Sequence, residues 1–201
     1  KRAINDVVAK LERRGQLIMA CGTGKTYTAL WIAERINSEN TLVLLPSLLL
    51  LKDTLKDWAE QARRKFVSLP VCSDDSVTKN SEDDDRMISS LSELPIKSTT
   101  DTNKIISFLR YPGRKVIFST YQSSERIVEA FQQEELPPFD FVICDEAHRL
   151  VGKADKKHSV VMNDNKIPSS KYLFMTATPT TASSRIKKIA SESGIDIFSM
   201  D

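Results

Sequence analysis

Gly22-Thr23-Gly24-Lys25-Thr26 stands between a short apolar run and a stretch with helical spacing, which is the context a phosphate-binding loop requires. Glycines let backbone N–H groups turn inward around phosphates, and the start of a helix adds partial positive charge. The loop reads as Ala20, Cys21, Gly22, Thr23, Gly24, Lys25 and Thr26. Lys25 has the reach and charge for β- and γ-phosphates, and the Thr26 hydroxyl can ligate magnesium. The strict pattern opens on glycine where this chain has Met19, so the reading rests on the Gly22 to Thr26 core.

Two further groups complete the chemistry. Phe141-Val142-Ile143-Cys144 is an apolar strand that ends in Asp145 and Glu146. A carboxylate at such a strand end holds magnesium in phosphate-loop ATPases, which suits Asp145. Glu146 is placed to orient and deprotonate an attacking water. Phe174-Met175-Thr176-Ala177-Thr178-Pro179 ends another apolar run in small hydroxyl residues. Thr176 and Thr178 are expected to hydrogen-bond His148 and so link nucleotide state to the geometry of the lobe. The expected catalytic set is Lys25, Asp145, Glu146 and His148, with Thr26 and Asp145 on the metal.

These residues need a scaffold, and the hydrophobic periodicity supplies one. Strands are expected over residues 17–20, 41–45, 66–72, 115–119, 139–144 and 171–176. Helices are expected over 1–10, 25–36, 48–62, 101–109, 123–132 and 182–191, with Ser47 and Asp101 as N-caps. Alternating strands and helices imply a mainly parallel sheet with helices on both faces, so the fold class is α/β. Near-continuous apolar strands suit a sheet buried on both sides. Residues 73–97 break the pattern, carrying Asp74, Asp75, Glu82, Asp83, Asp84 and Asp85. That stretch is too polar to bury and is expected to be a flexible acidic surface loop.

Bulk properties exclude several classes. With 201 residues, 40% hydrophobic and 28% charged, the chain suits one globular domain. A net charge of +2 gives no broad basic field, so any nucleic acid must meet a local face. No apolar run approaches the roughly 18 residues of a membrane span. Cys21, Cys72 and Cys144 lack metal-ligand spacing, also with His148 and His158. Each thiol lies in or beside an expected buried strand, where it would behave as a small hydrophobe in a reduced, cytoplasmic setting.

In this order the three blocks resemble motifs I, II and III of superfamily 2 helicases, and Asp145-Glu146-Ala147-His148 spells DEAH literally. The combination MACGTGKT, VCSD, STYQSS, CDEAHR and MTATP resembles more narrowly the helicase-like motor of bacterial restriction enzymes. The type ISP group is the nearest likeness, and type I and type III motors are more distant. The resemblance covers nearly the whole chain. It implies a RecA-like first motor lobe that binds ATP and Mg2+ and moves along DNA, in a restriction-modification or mobile-element protein.

The resemblance also implies roles by position. Pro46 and Ser47 match motif Ia, while Thr120, Tyr121, Gln122 and Ser123 match the region of motif Ib. Backbone amides and hydroxyls there would take duplex phosphates without reading bases. Ser73, Asp74, Thr99 and Thr100 occupy analogous strand ends, and Arg149 would pair with a local carboxylate. A glutamine that reads adenine would precede Lys1. A second RecA-like lobe would follow Asp201, completing the DNA track and supplying an arginine finger worth about 10³–10⁵ in rate. The lobe alone is therefore expected to hydrolyse ATP weakly or not at all. Two other readings fit the same residues: a nucleotide-dependent nucleic-acid-binding module without turnover, and an RNA helicase.

Overall fold

A computed structural model of the chain describes residues 2–73, 97–147, 166–177 and 195–199. The elements, in chain order, are α1 (Arg2–Lys10), β1 (Arg14–Ile18), α2 (Lys25–Arg35), β2 (Asn40–Leu45), α3 (Leu48–Gln61) and β3 (Val67–Val71). After them come α4 (Thr102–Arg110), β4 (Lys115–Thr120), a 3-10 turn (Tyr121–Ser123) and α5 (Ser124–Gln133). The remaining strands are β5 (Phe139–Cys144), β6 (Ser169–Thr176) and β7 (Ile195–Ser199). All seven strands join one sheet in the order β3-β4-β2-β5-β6-β1-β7, and every recorded pairing is parallel.

The sheet is apolar because it is covered twice. In β2 all six residues are buried, and the pleat sends them to opposite faces. Val43 and Leu45 join a core with Val7, Leu17, Leu30, Leu51, Trp58 and Phe118. Leu42 and Leu44 join the other core, with Ile105, Leu109, Ile127 and Phe139. A strand buried on both faces has no polar side to alternate with, so β2, β4 and β5 read as continuous hydrophobic runs.

Local rules explain the helices that carry the site. α3 buries Leu48, Leu51, Leu55 and Trp58, a three- and four-residue spacing that puts one stripe on the sheet. Ser47 caps it, its hydroxyl accepting from the Leu50 amide at 3.3 Å. Asp101 caps α4 in the same way, through the Asn103 amide at 2.9 Å. α2 ends with Asn37 at φ 55°, while Asn37 N–H donates to Glu34 O and Ser38 N–H to Ala33 O. That pair of bonds is a Schellman ending with asparagine in the left-handed position.

Several expectations shift. The first strand is Arg14–Ile18 rather than residues 17–20, because Arg14 and Gln16 sit half-buried within the ladder. The Arg14 guanidinium lies 5.0 Å from the Tyr172 ring centroid, so a charged residue is accommodated at the strand start. β7 was not expected from the sequence, although it pairs in register with β1 from Arg14↔Ile195 to Ile18↔Ser199. The thiols also divide: Cys72 and Cys144 are buried, but Cys21 is exposed on the phosphate loop, contrary to the small-hydrophobe expectation. The helix expected over 182–191 and residues 74–96 of the acidic stretch lie outside the described residues.

Candidate nucleotide site

Because every strand is parallel, all carboxyl ends lie along one edge of the sheet. Sheet order places the ends of β5, β6 and β1 side by side. Asp145, Thr176 and Met19, distant in sequence, therefore meet. Two backbone bonds stitch these ends together, Ala147 N–H donating to Met175 O at 2.8 Å and Met19 N–H to Thr176 O at 3.0 Å, while Asp145 N–H donates to Leu44 O of β2 at 2.9 Å. Open α/β sheets bind ligands at this edge.

The phosphate loop has the conformation its residues foretell. Gly22 stands at φ 75° and Gly24 at φ 84°, left-handed values that glycine adopts without steric penalty. Lys25 opens α2, and Gly24 at its N-cap contributes no side chain to the first turn. Among the described residues none accepts from the Lys25 or Thr26 amides, which are the orphan donors of a helix start. Thr23 folds back on the loop, its hydroxyl donating to Ala20 O at 2.7 Å. Ala20, Cys21, Gly22 and Thr23 are exposed, while Gly24, Lys25 and Thr26 are half-buried.

Across from the loop, Asp145 and Glu146 follow β5. Glu146 Oε1 lies 2.9 Å from Lys25 Nζ, an ion pair between residues 121 positions apart. The two side chains are only 19% and 12% exposed, so the pair is partly shielded from water. Glu146 adopts φ 48°, a left-handed value that costs a side-chain-bearing residue on the order of 1–3 kcal/mol. Its amide is held by the Asp145 carboxylate, Oδ1 accepting at 2.9 Å. That bond fixes the turn. Thr26 and Asp145 line one recess together with Ala29, Thr54, Trp58 and Met175.

This arrangement fits a magnesium nucleotide. The uncapped amides at the start of α2 and the Lys25 ammonium suit phosphate oxygens, and the helix dipole adds to them. Thr26 and Asp145 both line one recess, otherwise mostly apolar, and their side chains carry hard oxygen donors of the kind magnesium takes.

Of the other expected site residues, Thr176 is buried at the end of β6, one step from the loop. His148 and Thr178, its expected partners in coupling, and Arg149 and Asp74 lie outside the described residues. Pro46 and Ser47 are half-buried between β2 and α3, with the Ser47 hydroxyl engaged in capping. In the Thr120 to Ser123 segment, Thr120, Tyr121 and Ser123 are buried, Tyr121 as core packing. The Thr120 and Ser123 hydroxyls lie 3.1 Å apart, and the Ser124 hydroxyl donates to Tyr121 O at 2.7 Å. Gln122 is the half-buried member that keeps access to solvent. Of the analogous strand ends, Thr99 is buried and bridges Val71, Thr100 is exposed and Ser73 is half-buried.

Tyr121 belongs to the site in another way. Its ring is packed in the core, and its hydroxyl donates to the Asp145 carbonyl at 2.7 Å. Burial, with the Cys144 thiol and Asp145 nearby, pushes its pKa well above the usual tyrosine range, so the group stays a proton donor. Burial likewise raises the Cys144 thiol, which is inert at neutral pH. Sequence reasoning also missed Trp58, whose indole N–H donates to the Thr26 carbonyl at 3.1 Å. Its place on the apolar stripe of α3 marked it for the core, and nothing in the spacing showed which loop it would meet.

The likenesses to known proteins agree with this geometry. The family described as "Type III restriction enzyme, res subunit" matches residues 1–181. The chain is 32% identical over 183 residues to "Probable helicase A859L" of African swine fever virus, covering 89% of this chain and 19% of that protein. It thus spans about a fifth of the curated relatives it matches. Two solved structures are also similar. One is a nuclease-deletion mutant of the type ISP restriction-modification enzyme LlaGI in complex with a DNA substrate mimic, 37% identical at TM-score 0.73 over 89% of this chain and 14% of that one. The other is the ATP-dependent type ISP enzyme LlaBIII bound to DNA, 35% identical at TM-score 0.72 over 89% of this chain and 12% of that one. A parallel sheet with a phosphate loop after β1, acids after β5 and these relatives lead to one assignment: the chain belongs to the type III restriction enzyme res subunit family, as a RecA-like, helicase-type lobe.

Proposed function

We propose that this lobe binds ATP with Mg2+ and hydrolyses it to drive movement of a larger protein along duplex DNA. The observation that carries the reading is the meeting of Lys25 and Glu146 at 2.9 Å across the mouth of an uncapped helix. Lys25 and the first-turn amides of α2 bind the β- and γ-phosphates. The Thr26 hydroxyl and Asp145 hold magnesium, which when bound neutralises phosphate charge. Glu146 orients water and takes its proton as the oxygen–phosphorus bond forms and the bond to ADP breaks. His148, Thr176 and Thr178 couple nucleotide state to the rest of the motor.

Duplex DNA as the track is supported by the two type ISP relatives, each solved with DNA or a DNA mimic. In this chain the carboxyl end of β2 adjoins that of β5 and β4 lies beyond β2, so Pro46 and Ser47 stand next to the nucleotide site and Gln122 one strand farther out. Backbone amides there would take phosphates without reading sequence. A second RecA-like lobe would complete the ATPase; the type ISP likeness supports a restriction or mobile-element setting, and the thiol state of Cys21, Cys72 and Cys144 suits the cytoplasm. Among the described residues no helix is long and apolar enough to cross a membrane.

The test is the ATPase rate with Mg2+, measured without nucleic acid, with duplex DNA and with RNA, on this chain and on the protein carrying both lobes. The expected result is a weak or silent lobe beside a two-lobed protein stimulated by duplex DNA. Preferential stimulation by RNA would replace the track. A two-lobed protein inert on every nucleic acid would leave a binding module without turnover.

A further inference from the structure

The first turn of α2 is gripped from outside by a residue that no motif contains. Trp58, in the last turn of α3, is 1% exposed, and its indole N–H reaches the Thr26 carbonyl at 3.1 Å. The ring cannot swing away easily. Phe118 meets it edge-on with centroids 5.4 Å apart, and Phe66 does so at 6.3 Å. Next to it, Asp57 accepts from the Tyr27 hydroxyl at 3.3 Å, so consecutive residues of α3 hold consecutive residues of α2.

The consequence falls on the hydroxyl of Thr26. A backbone carbonyl has two lone pairs, so Thr26 can serve the α-helical ladder and the indole together. Helix ends fray, and Thr26 is the second residue of α2. The indole bond opposes fraying at Thr26, which lines one recess with Asp145 and with Trp58 itself, the rest of the wall being mostly apolar. We propose that Trp58 is a positioning residue for the magnesium site, holding the Thr26 hydroxyl toward Asp145. The inference rests on the reading of Thr26 and Asp145 as the metal-holding pair.

The experiment measures ATP affinity of the chain by calorimetry in excess Mg2+ and again in EDTA. Trp58→Phe keeps an aromatic ring and loses the donor. The dissociation constant in Mg2+ should rise about fivefold, equivalent to about 1 kcal/mol at 1.4 kcal/mol per tenfold, while the value in EDTA stays unchanged. In a Thr26→Ala background the same substitution should have no Mg2+-dependent effect, because no hydroxyl is left to position. If Trp58→Phe fails to fold, benzothienylalanine at position 58 in a Trp31→Phe background keeps the ring shape without the N–H. Equal weakening with and without Mg2+, no change in either, or an undiminished effect in Thr26→Ala would each overturn the inference alone. An unsubstituted chain that binds no ATP under either condition would overturn the phosphate-loop reading, and the inference with it.

Discussion

Gly22→Ala isolates what the phosphate loop owes to backbone conformation. Gly22 stands at φ 75°, and a Cβ built there would meet nothing within 4 Å. The substitution therefore adds no clash and takes away no contact. Its cost is that of an L-residue in the left-handed region, about 1–2 kcal/mol. The chain can meet that cost in two ways. If the loop keeps its shape, the folded state carries the strain, and the melting temperature falls by about 2–8 °C, taking 2–4 °C per kcal/mol for a domain of this size. If the loop relaxes, the nucleotide must restore the binding conformation, and the dissociation constant rises about 5- to 30-fold. The stability loss and the affinity loss should together come to about 1–2 kcal/mol. Gly113 provides the control, at φ 87° with nothing within 4 Å of its Cβ position, in the loop before β4. That loop lies at the amino edge of the sheet, away from the nucleotide. Gly113→Ala should lower the melting temperature to a similar degree and leave affinity for a magnesium-bound, non-hydrolysable ATP analogue untouched. Calorimetric titration and thermal unfolding read both quantities. Unchanged stability and affinity in Gly22→Ala, or an affinity loss in Gly113→Ala as large as in Gly22→Ala, would refute the reasoning.

Glu146→Gln should lower ATP hydrolysis by the protein carrying both lobes by about 10²–10⁴, the usual worth of a general base. It should also tighten ATP binding, because the carboxylate 2.9 Å from Lys25 competes with phosphate for the ammonium; for a partly exposed pair worth about 1 kcal/mol the gain is about fivefold, and weaker binding would contradict it. Tyr121→Phe keeps the buried ring and removes the 2.7 Å bond to the Asp145 carbonyl, which should cost about 1–3 kcal/mol in a denaturant titration. An unchanged midpoint would mean that this bond contributes nothing. Arg114 is buried, its Nε and Nη1 without a hydrogen-bond partner among the described residues, and burial holds its pKa down. Arg114→Met should therefore raise the urea midpoint by about 1 kcal/mol of stability at unchanged slope, and a lowered midpoint would show that the guanidinium is worth more than its bonds.

The parts of the site that were legible in sequence are those in which chemistry is carried by local spacing. The glycines of the loop, Lys25 opening a helix and two acids closing an apolar strand are patterns within eight residues, and the backbone obeys them. The core was legible for a similar reason, since β2 and β5, buried on both faces, leave uninterrupted apolar runs. What spacing cannot show is which distant element a buried side chain will meet. The type of Tyr121 favoured core packing, and it is 2% exposed, but nothing in the spacing showed that its hydroxyl would turn toward Asp145. β1 was displaced because the pattern was read as purely apolar, whereas Arg14 enters the ladder by lying over Tyr172. β7, with Ile195, Ile197 and Phe198 around a lone aspartate, was passed over because five residues give too short a period to separate strand from helix.

The order of the strands gives these two cross-links a common meaning. β4 and β2, whose ends carry the segments proposed to meet DNA, lie on one side of β5, and β6 and β1, whose ends carry the nucleotide segments, lie on the other. A motor must pass force between these halves, and a parallel sheet offers little give along its strands. The deformable parts are the loops at its carboxyl edge. Tyr121, just after β4, bonds the Asp145 carbonyl at 2.7 Å; Trp58, on the helix that leaves β2, bonds the Thr26 carbonyl at 3.1 Å. Tyr121 thus joins the turn after β4 to Asp145 at the end of β5, and Trp58 joins α3 to Thr26 on the far side, the two residues proposed to hold the metal. A change in phosphate contact that turns or shifts Thr26 or Asp145 would thus be transmitted through a single donor hydrogen bond to α3 or to the start of α5, the elements that carry the segments proposed to meet DNA. Coupling by this route requires both donors. Removal of either should therefore weaken stimulation by DNA more than it weakens nucleotide binding in its absence, whereas a purely structural role for the two aromatic residues would lower both in proportion.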